Sequence, residues 1–95
     1  MKRLTFQKEP YYVYVLFSLK DKGFYIGSTS DLKKRFGNHR RGEVKSTHFR
    51  RPIILIRYEY FINKKDALAR EKYLKSGYGR EQLGSILKNT VNQLK

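Results

Sequence analysis

Two stretches decide the fold of this chain: residues 11–17 read YYVYVLF, and residues 24–27 read FYIG. The first is an unbroken run of aromatic and aliphatic side chains, which is typical of a strand buried on both faces. The second is shorter, and residues 20–23 between the two read KDKG, a combination that favours a tight turn. Together they predict a β-hairpin.

The register of this hairpin depends on the position of its turn. Gly23 can adopt the positive φ that many tight turns need. If the turn is centred between residues 19 and 20, Tyr14 lies opposite Tyr25. We expect this pairing to bring the two hydroxyls together.

A helix is predicted from residue 32 to residue 40. Residues 28–31 read STSD and can cap its first turn, and Gly42 ends it. Leu32 and Phe36 are four positions apart and mark its buried face.

Residues 53–61 predict a third strand, which follows a basic loop at residues 43–52. Simple alternation places two sets of side chains on opposite faces of this strand. The first set is Ile54, Ile56, Tyr58 and Tyr60, and the second is Arg57 and Glu59. The charged set leaves its face at least partly solvated.

A second helix is predicted to begin after Asn63, with Asp66 placed as in a capping box, and to end near Lys75, before Ser76-Gly77. Its apolar stripe contains one carboxylate: the cluster comprises Ala67, Leu74, Tyr78 and Glu71. Burying a carboxylate among apolar neighbours is costly unless it is paired or bound to a metal. Glu71 is therefore either a metal ligand or the acid of an ion pair, for which the nearby cations are Arg70, Lys72 and Lys75.

These elements predict an α+β domain, a small three-stranded antiparallel sheet flanked by helices. We expect residues 1–10 to form an N-terminal arm, residues 11–80 the domain, and residues 81–95 a helical or frayed tail. The chain has no cysteine, which excludes disulfides, a thiolate nucleophile and a cysteine-based zinc site. No stretch approaches the roughly 18 apolar residues of a membrane span, so we expect no membrane partner and a cytoplasmic location.

The charge predicts a nucleic-acid partner. Twenty-two Lys and Arg against eight Asp and Glu give a net charge of +14, and such a field attracts polyanions. Residues 33–51 hold eight of these cations and one acid. The side chains expected to contact the nucleic-acid backbone are Lys33, Lys34, Arg40, Arg41, Lys45, Arg50 and Arg51.

The order and spacing of several positions between residues 11 and 77 resemble the GIY-YIG nuclease superfamily. The closest likeness is to small stand-alone bacterial members related to the N-terminal incision domain of an excision-repair nuclease. The positions are Tyr12-Val13-Tyr14, Tyr25-Ile26-Gly27, Arg35, His39 and Glu71. Tyr12 replaces the glycine of the first motif, and residues 76–80 contain no obvious counterpart of an asparagine that the family often has after the glutamate.

The resemblance implies an endonuclease that uses Mg²⁺ or Mn²⁺ and hydrolyses DNA to 5′-phosphate and 3′-hydroxyl ends, with RNA still open as a substrate. It implies catalytic roles for Tyr14, Tyr25, Arg35 and His39 and a metal-binding role for Glu71. The guanidinium of Arg35 matches phosphate geometry, and His39 is a candidate proton shuttle because imidazole titrates near neutrality. One tyrosine would orient or deprotonate the attacking water, and the other would hydrogen-bond phosphate or a metal-bound water. The sequence does not decide which does which.

Two other interpretations stay open at this point. A nucleic-acid-binding module with a weak or silent nuclease site fits the missing asparagine and the lack of a separate DNA-recognition domain. A structural RNA-binding protein of the ribosomal type explains the charge, but it does not explain Glu71 in an apolar stripe.

Overall fold

The computed structural model describes residues 10–95, so the predicted arm at residues 1–10 lies outside it except for its last residue. In the three-stranded antiparallel sheet, strand Tyr11–Ser18 (β1) lies between Phe24–Thr29 (β2) and Ile53–Phe61 (β3). This confirms the predicted α+β fold. A short 3₁₀ turn spans His48–Arg50. The described strands and helices are β1 (Tyr11–Ser18), β2 (Phe24–Thr29), α1 (Leu32–Arg40), β3 (Ile53–Phe61), α2 (Lys64–Lys75), α3 (Gly77–Ile86) and α4 (Lys88–Leu94).

The central strand β1 is buried on both faces, as its sequence predicts. Because side chains alternate along a strand, its odd-numbered residues from 11 to 17 face one side and its even-numbered residues the other. Helices α2 and α3 cover the first side, where the core comprises Val13, Val15, Ile26, Ala67, Leu74, Leu83 and Leu87. Helix α1 covers the second side, where Leu32 and Phe36 pack against a cluster of Tyr14, Leu16 and Ile53.

The hairpin is present, but its predicted register is wrong. Tyr14 lies opposite Gly27 rather than Tyr25, because the turn is centred one residue later than predicted. The positive φ falls on Lys22, at 61°, and not on Gly23. Moving the centre by one residue changes each partner by two positions, so Tyr25 stays on the same face as Tyr14.

Strand β3 does not alternate as predicted, because a β-bulge shifts its pairing with β1 between Val15 and Leu16. Tyr58 lies opposite Tyr14, whereas Ile54 lies opposite Phe17, which faces the other side of the sheet. A bulge adds one residue to one strand, so the side chains beyond it point to the opposite faces of the sheet from those that simple alternation predicts. The predicted common face is therefore wrong for the set Ile54, Ile56, Tyr58 and Tyr60.

Helix α1 has the predicted bounds. The Asp31 side chain caps it by accepting a hydrogen bond from the Lys34 backbone N–H at 3.0 Å. Gly42 follows its end with a φ of 82°, in the region that favours glycine. Ser28 and Thr29, the first two residues of the expected cap, belong to β2 instead.

Helix α2 also has the predicted ends, with the Asn63 side chain accepting from the Lys65 backbone N–H at 2.8 Å. Ala67 and Leu74 are buried as expected, but Tyr78 is 82% exposed. The reason is that Ser76 ends α2 and caps α3. The helical wheel of α2 therefore does not extend to Tyr78.

Helix α3 runs through residue 80, and Leu83 and Leu87 beyond it are buried in the core against α2. Helix α4 continues to Leu94. The boundaries proposed at residues 10 and 80 stay predictions. Among residues 10–95, no helix combines the length and the apolarity that crossing a bilayer requires.

Candidate active site

A chain of hydrogen bonds is buried where β1, α1 and the loop after α1 meet. The Tyr14 hydroxyl lies 2.8 Å from His39 Nε2, and His39 Nδ1 lies 2.7 Å from Thr47 Oγ1. Because the Thr47 hydroxyl donates to the Val44 carbonyl, its oxygen accepts from Nδ1–H, and Nε2 accepts from the phenol. None of the three side chains is more than 1% exposed. We refer to Tyr14, His39 and Thr47 as the buried chain.

Burial keeps the two titratable groups of this chain neutral. Loss of hydration raises the pKa of Tyr14 above its usual value, although a hydrogen bond from Arg35 offsets part of the effect. Burial also lowers the pKa of His39 to about 4, helped by the charge of Arg35. His39 is therefore an uncharged imidazole at pH 7, and the expectation that it titrates near neutrality is wrong.

Arg35 connects the buried chain with the surface. It lies one helical turn before His39, on the same side of α1. The nearby guanidinium offsets part of the rise in the pKa of the Tyr14 phenol. The same side chain lines an open depression of about 380 Å³, together with Thr29, Ser30, Asp31, Lys34 and Asn38. A permanent cation thus lies close to the buried phenol and also lines the depression at the surface.

Tyr25 packs beside the buried chain but is only half-buried. Its ring centroid lies 5.0 Å from that of His39 and 6.4 Å from that of Tyr14. Its hydroxyl accepts a hydrogen bond from Ser46 Oγ at 3.3 Å. Within residues 10–95 no acceptor takes the Tyr25 proton, so this hydroxyl can donate to a ligand.

Glu71 approaches from the other side of the sheet, on α2. Its Oε1 accepts from Ser28 Oγ at 2.5 Å, and its Oε2 lies 2.8 Å from Lys75 Nζ. Burial alone would raise the pKa of Glu71, but the hydrogen bonds from Lys75 and Ser28 outweigh it and hold the pKa below its usual value. Glu71 is therefore ionised at neutral pH, and Lys75 is its ion-pair partner.

Tyr14 and Glu71 both reach β2, which is an edge strand of the sheet. Gly27, opposite Tyr14, leaves room for the phenol: a Cβ at this position would lie 2.5 Å from Tyr14 Cζ. Ser28, the next residue, faces the other side and holds Glu71. The Glu71 charge also adds to the raised pKa of Tyr14. Gly27 therefore lies inside a strand for a packing reason.

The donor set near Glu71 fits a divalent cation that is held through one carboxylate. No three His, Cys, Asp or Glu side chains cluster anywhere in residues 10–95, so a cage of several protein ligands is absent from the described part. Mg²⁺ keeps several waters and is commonly bound through one or two carboxylates plus substrate phosphates. Lys75 already places a positive charge against Glu71, and its side chain is 50% exposed on a flexible stem, so it can move aside.

The seven cations expected to contact nucleic acid divide into two groups. Arg41 pairs with Glu43 at 2.9 Å, and Arg50 pairs with Asp21 at 2.6 Å, which lowers the pKa of Asp21 to about 2. Arg51 donates to a backbone carbonyl of the 3₁₀ turn at 3.1 Å. These three guanidiniums therefore also stabilise the loop. The other four of the seven are exposed and have no ion-pair partner among residues 10–95: Lys33, Lys34, Arg40 and Lys45.

Three residues of this site are absent from the sequence prediction: Ser28, Ser46 and Thr47. Ser28 was assigned to the cap of α1, since a serine before a helix is commonly a cap. Ser46 and Thr47 lie in a loop without periodicity, and hydroxyl residues in such a loop give no signal of a contact with the sheet.

Comparison with known protein families assigns the chain to one of them. Residues 10–83 match the family model described as the GIY-YIG catalytic domain. The chain belongs to the GIY-YIG family. This confirms the resemblance drawn from the sequence, and the matched range includes Tyr14, Tyr25, Arg35, His39 and Glu71.

The GIY-YIG chain is also similar to small bacterial proteins. It is 36% identical over 83 residues to a UPF0213 protein of Clostridium perfringens, covering 86% of this chain and 88% of that protein. It is 42% identical over 72 residues to a UPF0213 protein of Streptococcus pyogenes serotype M5, covering 75% and 77%. The solution NMR structure of the UPF0213 protein BH0048 from Bacillus halodurans has a TM-score of 0.52 and 35% identity, covering 81% of this chain and 84% of that chain. The names of these relatives state no activity.

Proposed function

We propose that this protein is a metal-dependent endonuclease that hydrolyses phosphodiester bonds in DNA. The observation that carries the proposal is the placement of Arg35, Tyr14, Tyr25 and Glu71 around one edge strand within a GIY-YIG catalytic domain. The net charge of +14 supports a polyanionic substrate, because it raises the local concentration of such a partner.

Arg35 would bind the scissile phosphate. Its guanidinium offers several donors in one plane and stays charged at any working pH. The depression that it lines gives a phosphate access to this fork. Negative charge grows on the phosphate oxygens as water attacks, so a fixed cation stabilises the transition state more than the ground state.

Tyr25 is the tyrosine that we assign to the attacking water. Its hydroxyl is half-buried and has a proton to donate, whereas Tyr14 is closed off by the buried chain. In hydrolysis the water oxygen forms a bond to phosphorus, the bond to the 3′ oxygen breaks, and one water proton is lost while the leaving oxygen gains one. Tyr25 would hold the water in line for this displacement.

The buried chain would act on the position of Arg35. A neutral His39 fixes the Tyr14 hydroxyl by a hydrogen bond, and this hydroxyl would in turn accept a hydrogen bond from the nearby guanidinium. Thr47 sets the tautomer of His39 by accepting from Nδ1–H. In place of the proton shuttle we therefore assign His39 a positioning role, which its low pKa supports.

Glu71 would hold the divalent cation, Mg²⁺ or Mn²⁺, with Ser28 fixing the orientation of its carboxylate. When bound, such an ion supplies Lewis-acid polarisation of the phosphate and stabilises the leaving 3′ oxygen. Ser28 keeps Oε1 in place, and Oε2 becomes available once Lys75 moves away.

A catalytically silent binding module is the second candidate, and one observation favours it. The Lys75 Nζ atom lies 2.8 Å from Glu71 Oε2. This contact is expected if the lysine ammonium permanently takes the place of the metal. The two candidates differ in whether the protein cuts DNA, because both would bind it.

Nicking of supercoiled plasmid in Mg²⁺ or Mn²⁺, with and without EDTA, distinguishes them. We expect the parent protein to nick only in the presence of metal, and Arg35→Ala to lower the rate by about 10²–10³-fold. Lys34→Ala removes a neighbouring exposed cation and should change the rate only severalfold. A parent protein that binds DNA but does not nick it in either metal would establish the silent module.

A further inference from the structure

An exposed aromatic side chain lies in the loop between α1 and β3, outside the residues assigned to cleavage. Phe49 is 79% exposed and occupies the middle of the 3₁₀ turn His48–Arg50. Single exposed apolar residues are common on soluble proteins and need no explanation by themselves. The inference therefore rests on how the surrounding loop holds Phe49 and on what lies beside it.

The loop presents Phe49 from fixed residues on both sides. Before it, Thr47 belongs to the buried chain and Ser46 donates to Tyr25. After it, the Arg50 carbonyl accepts from Ser18 Oγ at 2.6 Å, and the Arg50 guanidinium pairs with Asp21. A loop whose flanking residues are anchored in this way loses little backbone conformational entropy when it binds a partner.

Phe49 also lines a cleft of mixed chemistry. The cleft has a volume of about 570 Å³, within the range of about 300–1,000 Å³ that is typical of ligand sites. Its lining combines two aromatic rings in an edge-to-face contact, with centroids 4.6 Å apart, two apolar residues and three cations. The residues are His48, Phe49, Pro52, Ile53, Lys20, Arg40 and Arg51.

This combination matches one kind of occupant. A nucleobase presents a flat π-face that stacks on an aromatic ring, and the phosphates on either side of it need cations. Within residues 10–95 the side chains of Lys20 and Arg40 have no ion-pair partner that would compete with a phosphate. An apolar peptide would not use three cations, and a free anion would not use the exposed ring.

We propose that this cleft, named here the Phe49 cleft, binds an unpaired nucleobase of the nucleic-acid substrate. The base stacks on Phe49, and Lys20, Arg40 and Arg51 contact the adjacent phosphates. The inference rests on the proposed function and adds a substrate feature to it, namely an unstacked nucleotide near the site of cleavage. The same loop connects the Phe49 cleft with the candidate active site, since it carries Phe49 and also contacts Tyr25 and His39.

The test uses the full-length protein in EDTA, so that binding is measured without cleavage. Fluorescence anisotropy gives the Kd for a short single-stranded DNA and for the same strand with abasic residues at its centre. Phe49→Ala should weaken binding of the normal strand by about tenfold or more and should leave binding of the abasic strand unchanged. Phe49→Tyr should bind both strands as the parent does. The salt dependence of the Kd should be the same for Phe49→Ala as for the parent, since this substitution removes no phosphate contact.

Tyr78→Ala is the matched control, because Tyr78 is an equally exposed aromatic residue on α3. It should bind both strands as the parent does, and thermal unfolding checks that every variant is folded. Parental binding by Phe49→Ala, or an equal loss on both strands, would overturn the Phe49 cleft. If the parent nicks plasmid while Phe49→Ala binds normally, this inference alone fails. If the parent neither binds nor nicks DNA, the proposed function fails with it.

Discussion

Tyr14 lies directly opposite Gly27 in the pairing of β1 with β2, and its phenol covers the glycine at contact distance. This relationship explains how a tyrosine from the central strand can interact with His39 and Arg35 and still reach the edge of the sheet. It also makes the absence of a side chain at Gly27 a requirement of the site.

Gly27→Ala should therefore destabilise the protein. The new Cβ would overlap Tyr14 in a buried place, and overpacking of this kind costs about 1–3 kcal/mol. Gly84→Ala is the matched control: it has no atom within 4 Å of the new Cβ, and alanine is favoured over glycine in a helix by about 0.5–1 kcal/mol. Urea denaturation should show opposite shifts for the two variants. Equal free energies of unfolding would show that Tyr14 does not depend on the gap at Gly27.

The neutral state of His39 predicts a loss of stability in acid. Its pKa is about 4 when folded, against a usual value of 6.5, so the unfolded chain binds more protons between these values. Stability is then complete above the unfolded pKa and falls as the pH is lowered toward 4. Between pH 7 and pH 4.5 we expect His39 alone to lower the free energy of unfolding by about 2 kcal/mol.

Denaturant titrations at both pH values isolate this contribution by comparison with two variants. His39→Gln keeps a hydrogen-bonding side chain but has no ring to protonate, so its loss of stability in acid should be smaller by that amount. His48→Gln leaves the buried chain intact and should lose as much as the parent. If His39→Gln and the parent show the same loss, His39 is not buried in its neutral form.

The sequence predicted the fold well because its strongest patterns are long. The run at residues 11–17 buries five consecutive side chains, and each of the two predicted helices packs an apolar stripe against the sheet. Every helix and strand predicted through residue 75 is present. The hairpin register was wrong because it depends on one backbone angle, which Lys22 adopts in place of Gly23. The bulge in β3 could not be predicted either, since the side chains around it are compatible with either face of the sheet.

The candidate site was predictable to the extent that its residues follow regular spacing. Arg35 and His39 are four apart on a helix, and Glu71 interrupts an apolar stripe, so each gave a signal. Ser28 and Thr47 gave none, because contacts between segments 43 and 8 residues apart depend on tertiary structure. The pKa of His39 was misjudged for the same reason: burial is a property of the fold and not of the residue type.

Ser28 should control the affinity of the site for metal. Its hydroxyl donates to Glu71 Oε1, and loss of a hydrogen bond that orients a metal ligand typically costs about 10–100-fold in affinity or activity. We expect Ser28→Ala to need a correspondingly higher Mg²⁺ concentration for half-maximal nicking. Ser30→Ala changes an exposed serine of the same segment and should leave the Mg²⁺ requirement as it is. An unchanged requirement in Ser28→Ala would remove Ser28 from the site.

The two groups of cations should respond differently to substitution. Lys33→Ala and Lys34→Ala each remove an exposed charge and should reduce the slope of log K against log salt for DNA binding by about one. Arg50→Ala breaks the pair with Asp21 and should instead lower the free energy of unfolding, by about 1 kcal/mol. Anisotropy at several salt concentrations and urea denaturation give both quantities. A normal slope in the lysine variants would mean that DNA does not contact this end of α1.

The central claim is that Glu71 and the groups around β2 form a nuclease site. It is tested most directly by the metal-dependent nicking rate of Glu71→Gln beside Glu81→Gln, which makes the same change of charge at an exposed position of α3. The account predicts that Glu71→Gln binds DNA normally but does not nick it above the EDTA background, whereas Glu81→Gln nicks at the parental rate. Parental nicking by Glu71→Gln would contradict it.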